Sequence, residues 1–590
     1  MNYKKVTALL CASLLALSLC ACGQSNSSNN TDSAVSQAGS DTESDSTDTL
    51  SNSSLSDEID MFTERDLDGT YDSTEASTIY LEDGASTSDS GNVTISGDVI
   101  TIMGKGVYVL SGTLSNGQII VDADKEKVQL VLDNANITNT SSAAIYVKQA
   151  DKVFITLPDG SSNSVATTDE FIAIDDNNID ATIFSKDDLT LNGYGSLNVE
   201  CEAGHGVVSK DDLVITAGAY TITSASHALS GKDSVRIADG TFTLISGKDG
   251  IHSENSDETE TSDTSEKGFI YIEEGTFNIT STSDGMDASS TLQIDGGTYA
   301  IATDDDGIHS DSDLIINGGD ICISQSYEGL EGKTITLNGG NINLVASDDG
   351  LNAAGGADAS GFGFGFGGGG MDYSSDNQIV INGGQLSINA AGDGIDSNGD
   401  LTINGGIIYV DGPTSGGDAP VDWAGNGVIN GGTVIAVGSS GMAETVSSDS
   451  TQGAMLVTFA SSLTGEITLS DSDGNVLLSY NATKAFNCVL LSCADIKQGA
   501  TYTLTCDSET TTIEMTTLVY GEGGGKGGFG GHGNKDGSMG AGRDGFFGGK
   551  GNRNGQSDDQ IPEGTEPPAD GAMPPMPGEP DSSTKEMPLL

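Results

Sequence analysis

The sequence predicts an all-β fold, a right-handed parallel β-helix with a small C-terminal β-module, and three observations carry that expectation. A signature made of an acidic residue or His, then Gly, an aliphatic, a polar and a small residue recurs with its second position at Gly206, Ala228, Gly250, Gly285, Gly307, Gly329, Gly350 and Gly394. The steps are 22, 22, 35, 22, 22, 21 and 44 residues, a single period of 22 with a loop let into each of the two long steps, Glu254 to Lys267 and Gly355 to Asp376. A Gly turn keeps the same beat at Gly240, Gly275, Gly297, Gly319, Gly340, Gly384, Gly406 and Gly432. The runs between these markers are short and alternating, as in DLIING and TFTLIS, and helix-period runs of apolar residues are missing.

Three strands and three turns fit one repeat. With no hairpin signals, successive repeats are expected to stack in parallel at about 4.8 Å, and the crossover rule sets the right hand. A column in the sequence then becomes a file in space.

Along the chain, Lys4 and Lys5, the apolar run from Val6 to Leu19 and the stretch Leu19-Cys20-Ala21-Cys22-Gly23 form the pattern of a bacterial lipoprotein signal. Residues 1–22 are therefore expected to end in a lipidated Cys22 that anchors the chain on the extracellular face of the cell membrane. Residues 23–60, rich in Ser, Thr, Asn and acids, cannot bury a core and are expected to be a solvated tether. The β-helix is placed at 61–454, with less regular strands before Asp187 and a cap for its open end at Asn92 to Leu114. Runs such as MLVTFA, NVLLSY and TYTLTC place a β cap or accessory module at 455–520, and the Gly- and Pro-rich residues 521–590 are expected to be disordered. A pair among Cys488, Cys493 and Cys506 is open in an exported protein, whereas Cys201 and Cys322 fall in separate repeats.

The 87 acids against 23 Lys and Arg, a formal charge of −64, exclude nucleic acid as a partner and favour cations. The aromatic column Tyr220, Phe242, Phe277 and Tyr299 continues as Ile321, Ile342, Leu386 and Ile408, which reads as an interior stack. Asn317, Asn338, Asn382, Asn404 and Asn430 precede the Gly turns and read as a hydrogen-bonded ladder.

The acidic signature reads differently. With Ile251, Met286, Ile308, Leu330, Leu351 and Ile395 inward, the following residues His252, Asp287, His309, Glu331, Asn352 and Asp396 face outward. Asp249, Asp284, Asp306, Glu328, Asp349 and Asp393 sit at the adjoining corner, with Asp304, Asp305 and Asp348 beside them. Like charges stacked across parallel neighbours are destabilising. Calcium, which takes six to eight oxygens in loose geometry, is the expected counter-ion for these acids; a solvated acidic face is the alternative, and zinc or copper is a poor second because the histidines alternate with Asp and Asn. Lys186, Lys210 and Lys232, with Lys333 further on, fall in one column; they and the signature residues His252 and His309 are candidates for gripping an acidic sugar chain. Pairing with Asp187, Asp211 and Asp233 is the competing reading of the lysines.

The signatures, the opening FTERDLDGTYD, the run AIDDNNIDATIFSKDDLTLNG and the segment HGVVSKDDLVI resemble a clostridial family of carbohydrate-binding β-helix proteins that bind cellulose and acidic sugars, over roughly Met61 to Tyr520. The resemblance implies a calcium-binding right-handed β-helix, similar in shape to polysaccharide lyases, that associates with cellulose and with acidic polysaccharides such as polygalacturonate. The calcium role carries over only to repeats with the acid; His205 and His227 stand where it is absent. The expected function is that of a non-catalytic, monomeric surface lipoprotein that binds polysaccharide with calcium. A calcium-dependent polysaccharide lyase and a rigid adhesin or spacer remain as alternatives, and no catalytic residue stands out.

Overall fold

The computed structural model of the chain describes Leu55 and residues 60–255, 267–354, 374–507 and 509–521. Cys22, the leader, most of the tether, the Phe-Gly insertion and the tail beyond 521 lie outside the described residues. The described chain is nearly all β, a single long sheet dominated by parallel strands, with almost no helix beyond the turn Glu64–Leu67.

Each repeat supplies one strand to each of three parallel ladders. Signature strands pair in sequence, from His205–Ser209 through Leu229–Gly231, Ile251–Ser253, Met286–Ala288 and onward to Ile395–Ser397. A second ladder runs through Lys152–Leu157, Asp188–Gly193, Asp212–Ile215, Ser234–Ile237 and Phe269–Ile272. A third runs through Ala219–Ser224, Thr241–Ser246, Thr276–Ser281 and Thr298–Thr303. Both insertions leave the frame intact: His252 pairs with Asp287, and Leu351 with Ile395.

Register puts like on like. Tyr220, Phe242, Phe277 and Tyr299 are buried, with ring centroids 5.3, 4.7 and 4.8 Å apart and interplanar angles of 15°, 4° and 2°. The file continues as Ile321, Ile342, Leu386 and Ile408, so it is an interior stack. Outside it, Asn338 donates to Asn317 at 2.7 Å, Asn382 to Asn338 at 2.8 Å, Asn404 to Asn382 at 2.9 Å and Asn430 to Asn404 at 3.0 Å. The signature Gly has its own cause: a Cβ on Gly307 would stand 2.5 Å from the carbonyl oxygen of Gly329 in the next repeat. At the turn, Gly319 takes φ of 97°, a conformation that favours glycine.

Strands of the second ladder are buried on both faces, because the segment preceding the sheet lies over them. Arg236 donates to the Met61 carbonyl, Phe62 packs on Tyr271 with centroids 6.0 Å apart, and Leu55, inside the stretch expected to be tether, is buried with its amide on Gln293. Thr63 and Asp66 form a capping box on the short helix. Asp66, 2 % exposed, then accepts from Thr190 at 2.6 Å and faces Lys152 at 2.8 Å. Burial opposes its ionisation, but Lys152 and the hydroxyls hold it below the usual carboxylate range. Asp66→Ala strands a nearly buried ammonium, so the unfolding free energy measured in denaturant is expected to fall by about 3 kcal/mol.

At the far end the strand order reverses direction. Thr433–Gly438 pairs antiparallel with Val476–Ser492, which forms a long hairpin with Ala454–Ser470. Thr501–Cys506 and Glu509–Glu514 complete this end over a separate apolar cluster that includes Ile435, Phe486 and Leu504. None of the five cysteines among the described residues is in a disulfide, and burial pushes the Cys488 and Cys506 thiols up to about 12.

Candidate functional site

The signature ladder builds one continuous polar row. Its aliphatic residues Ile251, Met286, Ile308, Leu330, Leu351 and Ile395 are fully buried on the inner side. The residues on the other side, contrary to a simple outward placement, are largely shielded as well. Asp306 is 2 % exposed, Glu328 and Glu331 are 4 % each, and His309 and Asn352 are also buried. Side chains one ladder step above and below cover one another, which strand alternation alone does not convey.

The corner acids have a structural duty that the sequence reading missed. All of them but Glu328 accept a backbone N–H from the next repeat: Asp284 from Asp306 at 2.9 Å, Asp306 from Glu328 at 2.9 Å, and Asp349 from Asp393 at 2.6 Å. Asp284 reaches Asp249 in the same way at 3.3 Å, and Ala419 closes the series on Asp393. One carboxylate oxygen is thereby spent on the backbone. The fixed place of the acid just before the Gly was the available signal for it.

The row has two chemically distinct parts. At its N-terminal end, imidazoles and carboxylates neutralise each other: Asp249 lies 2.7 Å from His227 and 2.9 Å from His252, and Asp287 lies 2.9 Å from His252 and 3.0 Å from His309. Burial opposes charge here, yet hydrogen bonds from these partners outweigh it. They raise His252 and His309 to about 10 and hold Asp249 and Asp287 below the usual carboxylate range. His205, stacked on His227, has no such partner; burial and the neighbouring His227 push it down to about 3.

Further along, carboxylates face carboxylates. Oxygens of Asp306, Glu328 and Glu331 lie within 4.8 Å of one another, as do those of Asp349, Asp393 and Asp396, and of Asp284, Asp305 and Asp306. From Asp284 to Asp396 the sequence carries one lysine, Lys333, and no arginine. Lys333 stands 3.8 Å from Asp376. Burial first, and the neighbouring charges second, raise Asp284 to about 9 and Glu328 to about 10. Burial likewise dominates in raising Asp349 to about 8 and Asp393 to about 9. Asn352 donates to both oxygens of Glu328, at 2.9 and 2.8 Å, and its own buried Oδ1 has no hydrogen-bond partner. These all-oxygen sets fit a hard divalent cation.

The remaining candidates fall outside these sets. Asp304 is exposed and accepts from Gln325 at 3.0 Å, and Asp348 is engaged by the Tyr327 hydroxyl. Trp423 is buried in the apolar core. Lys210 and Lys232 line a cleft of about 540 Å³ together with Lys248, which the sequence reading did not select; Lys186 is exposed and does not line it. Lys210 faces Asp180 at 3.6 Å rather than Asp211.

Residues 96–350 match the family model described as "Carbohydrate-binding domain-containing protein". A relative of that same description from Acetivibrio thermocellus is 41% identical over 223 residues, 37% of this chain and 76% of the relative. The solved structure of a polysaccharide lyase-like protein from C. thermocellum, in a gadolinium derivative, shares 34% identity over 41% of this chain and 96% of its own. Its TM-score of 0.38 leaves it without bearing on the fold.

Proposed function

The chain belongs to the family of carbohydrate-binding domain-containing proteins, and from that premise we propose that it is a calcium-dependent, non-catalytic polysaccharide-binding lipoprotein of the cell surface. The three ladders are taken to close as a right-handed parallel β-helix, because parallel strands joined through two intervening strands cross over with that hand. Cys22 would carry the lipid, and the acidic tether would hold the binding region away from the membrane.

The observation that carries the metal reading is the burial of Asp306, Glu328 and Glu331, with oxygens within 4.8 Å and Glu328 raised, in a stretch whose one lysine, Lys333, stands 3.8 Å from Asp376. A merely solvated acidic face would leave these groups in water. Asp306, Glu328 and Glu331, then Asp349, Asp393 and Asp396, are the residues that would hold calcium, with the Asn352 oxygen beside the first set. Calcium held by these residues would neutralise the row and could be shared with the carboxylates or hydroxyls of a glycan. The chain's own contribution is spacing: ladder steps of about 4.8 Å give a periodic edge suited to a periodic polymer such as cellulose or a uronate-containing glycan.

Retention of the purified protein on insoluble cellulose and on pectin tests this. Binding to at least one of them in calcium, with loss in chelator, is the expected result. Retention on neither, in calcium, favours a rigid spacer. Steady release of unsaturated uronate from polygalacturonate, followed by ultraviolet absorbance, would make the protein a lyase instead.

A further inference from the structure

Where the signature lacks its acid, the row changes sign. His205 and His227 replace the corner acid in their repeats, and with His252 they form a stack whose ring centroids are 4.9 and 4.0 Å apart, tilted by 13° and 15°. This stack forms one wall of the 540 Å³ cleft, and Lys210, Lys232 and Lys248 converge on it. The lysines arrive from two different corners, Lys210 and Lys232 just past a signature strand and Lys248 just before one. Among the described lining residues the one carboxylate is Glu254, and Asp180 stands 3.6 Å from Lys210, so three lysines gather in one place in a chain that carries 87 acids to 23 cations. Such a reversal in so acidic a chain is a built feature of the surface.

The lining suits one kind of ligand. All of its side chains are polar, with the Ser209 and Ser230 hydroxyls beside the rings, and its volume falls within the range of small-ligand sites. Ammonium groups are compact charges that attract an anion without demanding one geometry. A neutral imidazole offers one donor and one acceptor, the pairing a sugar hydroxyl can satisfy. The buried Nδ1 of His205 has no hydrogen-bond partner.

We propose that this cleft is a metal-independent subsite for one anionic residue of a glycan, its charged group held by Lys210, Lys232 and Lys248 and its hydroxyls by the edges of His205 and His227. The proposal rests on the carbohydrate-binding reading but not on calcium. It gives the row a polarity, with a cationic subsite at one end and carboxylate sets at the other.

Titration calorimetry of the full chain in EDTA, with trigalacturonate, cellotriose and inorganic phosphate as separate probes, tests it. Trigalacturonate is expected to bind, more weakly as salt rises, and cellotriose to give no heat. The Lys210→Gln/Lys232→Gln pair is expected to weaken trigalacturonate at least tenfold, and Lys248→Gln alone severalfold, with circular dichroism unchanged. Phosphate binding as tightly as trigalacturonate would reduce the cleft to a general anion hole and overturn its sugar specificity. Unaltered binding by the lysine variants, or glycan binding seen only in calcium, overturns the subsite while leaving the carbohydrate reading standing. No binding of any glycan with or without calcium overturns both.

Discussion

Calcium is expected to raise the unfolding midpoint of this protein by about 10 °C at pH 8, assuming two to three sites each contributing about 4 kcal/mol when calcium is a thousandfold above its Kd. In chelator, stability is expected to fall steadily as pH rises from about 5 to about 9. The sign follows from the raised carboxyls. Asp284, Glu328, Asp349 and Asp393 are raised to about 9, 10, 8 and 9 in the folded chain, against ordinary values of 3.8 for Asp and 4.5 for Glu. Across that window the native state binds more protons than the unfolded state, so raising pH favours unfolding, by at most about 1.4 kcal/mol per pH unit for each group. His252 and His309, raised to about 10, act in the same direction above their unfolded value of 6.5. Calcium replaces those protons and should flatten the dependence. Thermal melts at pH 5, 7 and 9, with calcium and with EDTA, read both effects. Equal midpoints in the two conditions at pH 9, or a midpoint in EDTA that climbs with pH, would sink the metal reading.

The parts of this architecture that depend on register were legible in the sequence, and the parts that depend on long-range cover were not. A fixed period maps sequence columns onto ladders, so Phe242 over Phe277 and Asn382 over Asn338 could be anticipated from spacing alone. The acids could be aligned by the same logic. Their burial could not, because it comes from side chains a full repeat away, as with Asn352 on Glu328. Nor does spacing show that Asp66 docks on Thr190, 124 residues later, or that Leu55 reaches Gln293, 238 residues later. His205 and His227 were visible only as exceptions to the acidic column. Only the stacked rings, with Lys248 brought in from the opposite corner, show that the exceptions make one surface.

The Glu328→Gln/Glu331→Gln pair is expected to invert the effect of calcium on relative stability. In EDTA at pH 8 to 9 the native wild type keeps Glu328 protonated, whereas the unfolded chain ionises it freely; a glutamine carries no such linkage and should make the metal-free variant the more stable by a few kcal/mol. The variant amide also has a partner waiting, since the buried Oδ1 of Asn352 has none. In calcium the order reverses, because removing two carboxylates from the Asp306, Glu328 and Glu331 set is expected to abolish one site and about 4 kcal/mol of ligand stabilisation. At pH 5 in EDTA the two proteins should differ least. A site whose acids serve only to hold the repeats together predicts the opposite, a variant weaker in every condition. An unchanged calcium shift in the folded variant would rule out this set as ligands. Because Lys210, Lys232 and Lys248 lie at the other end of the row, the variant should still bind trigalacturonate in EDTA as the wild type does, which separates the carboxylate sets from the cationic cleft in a single protein.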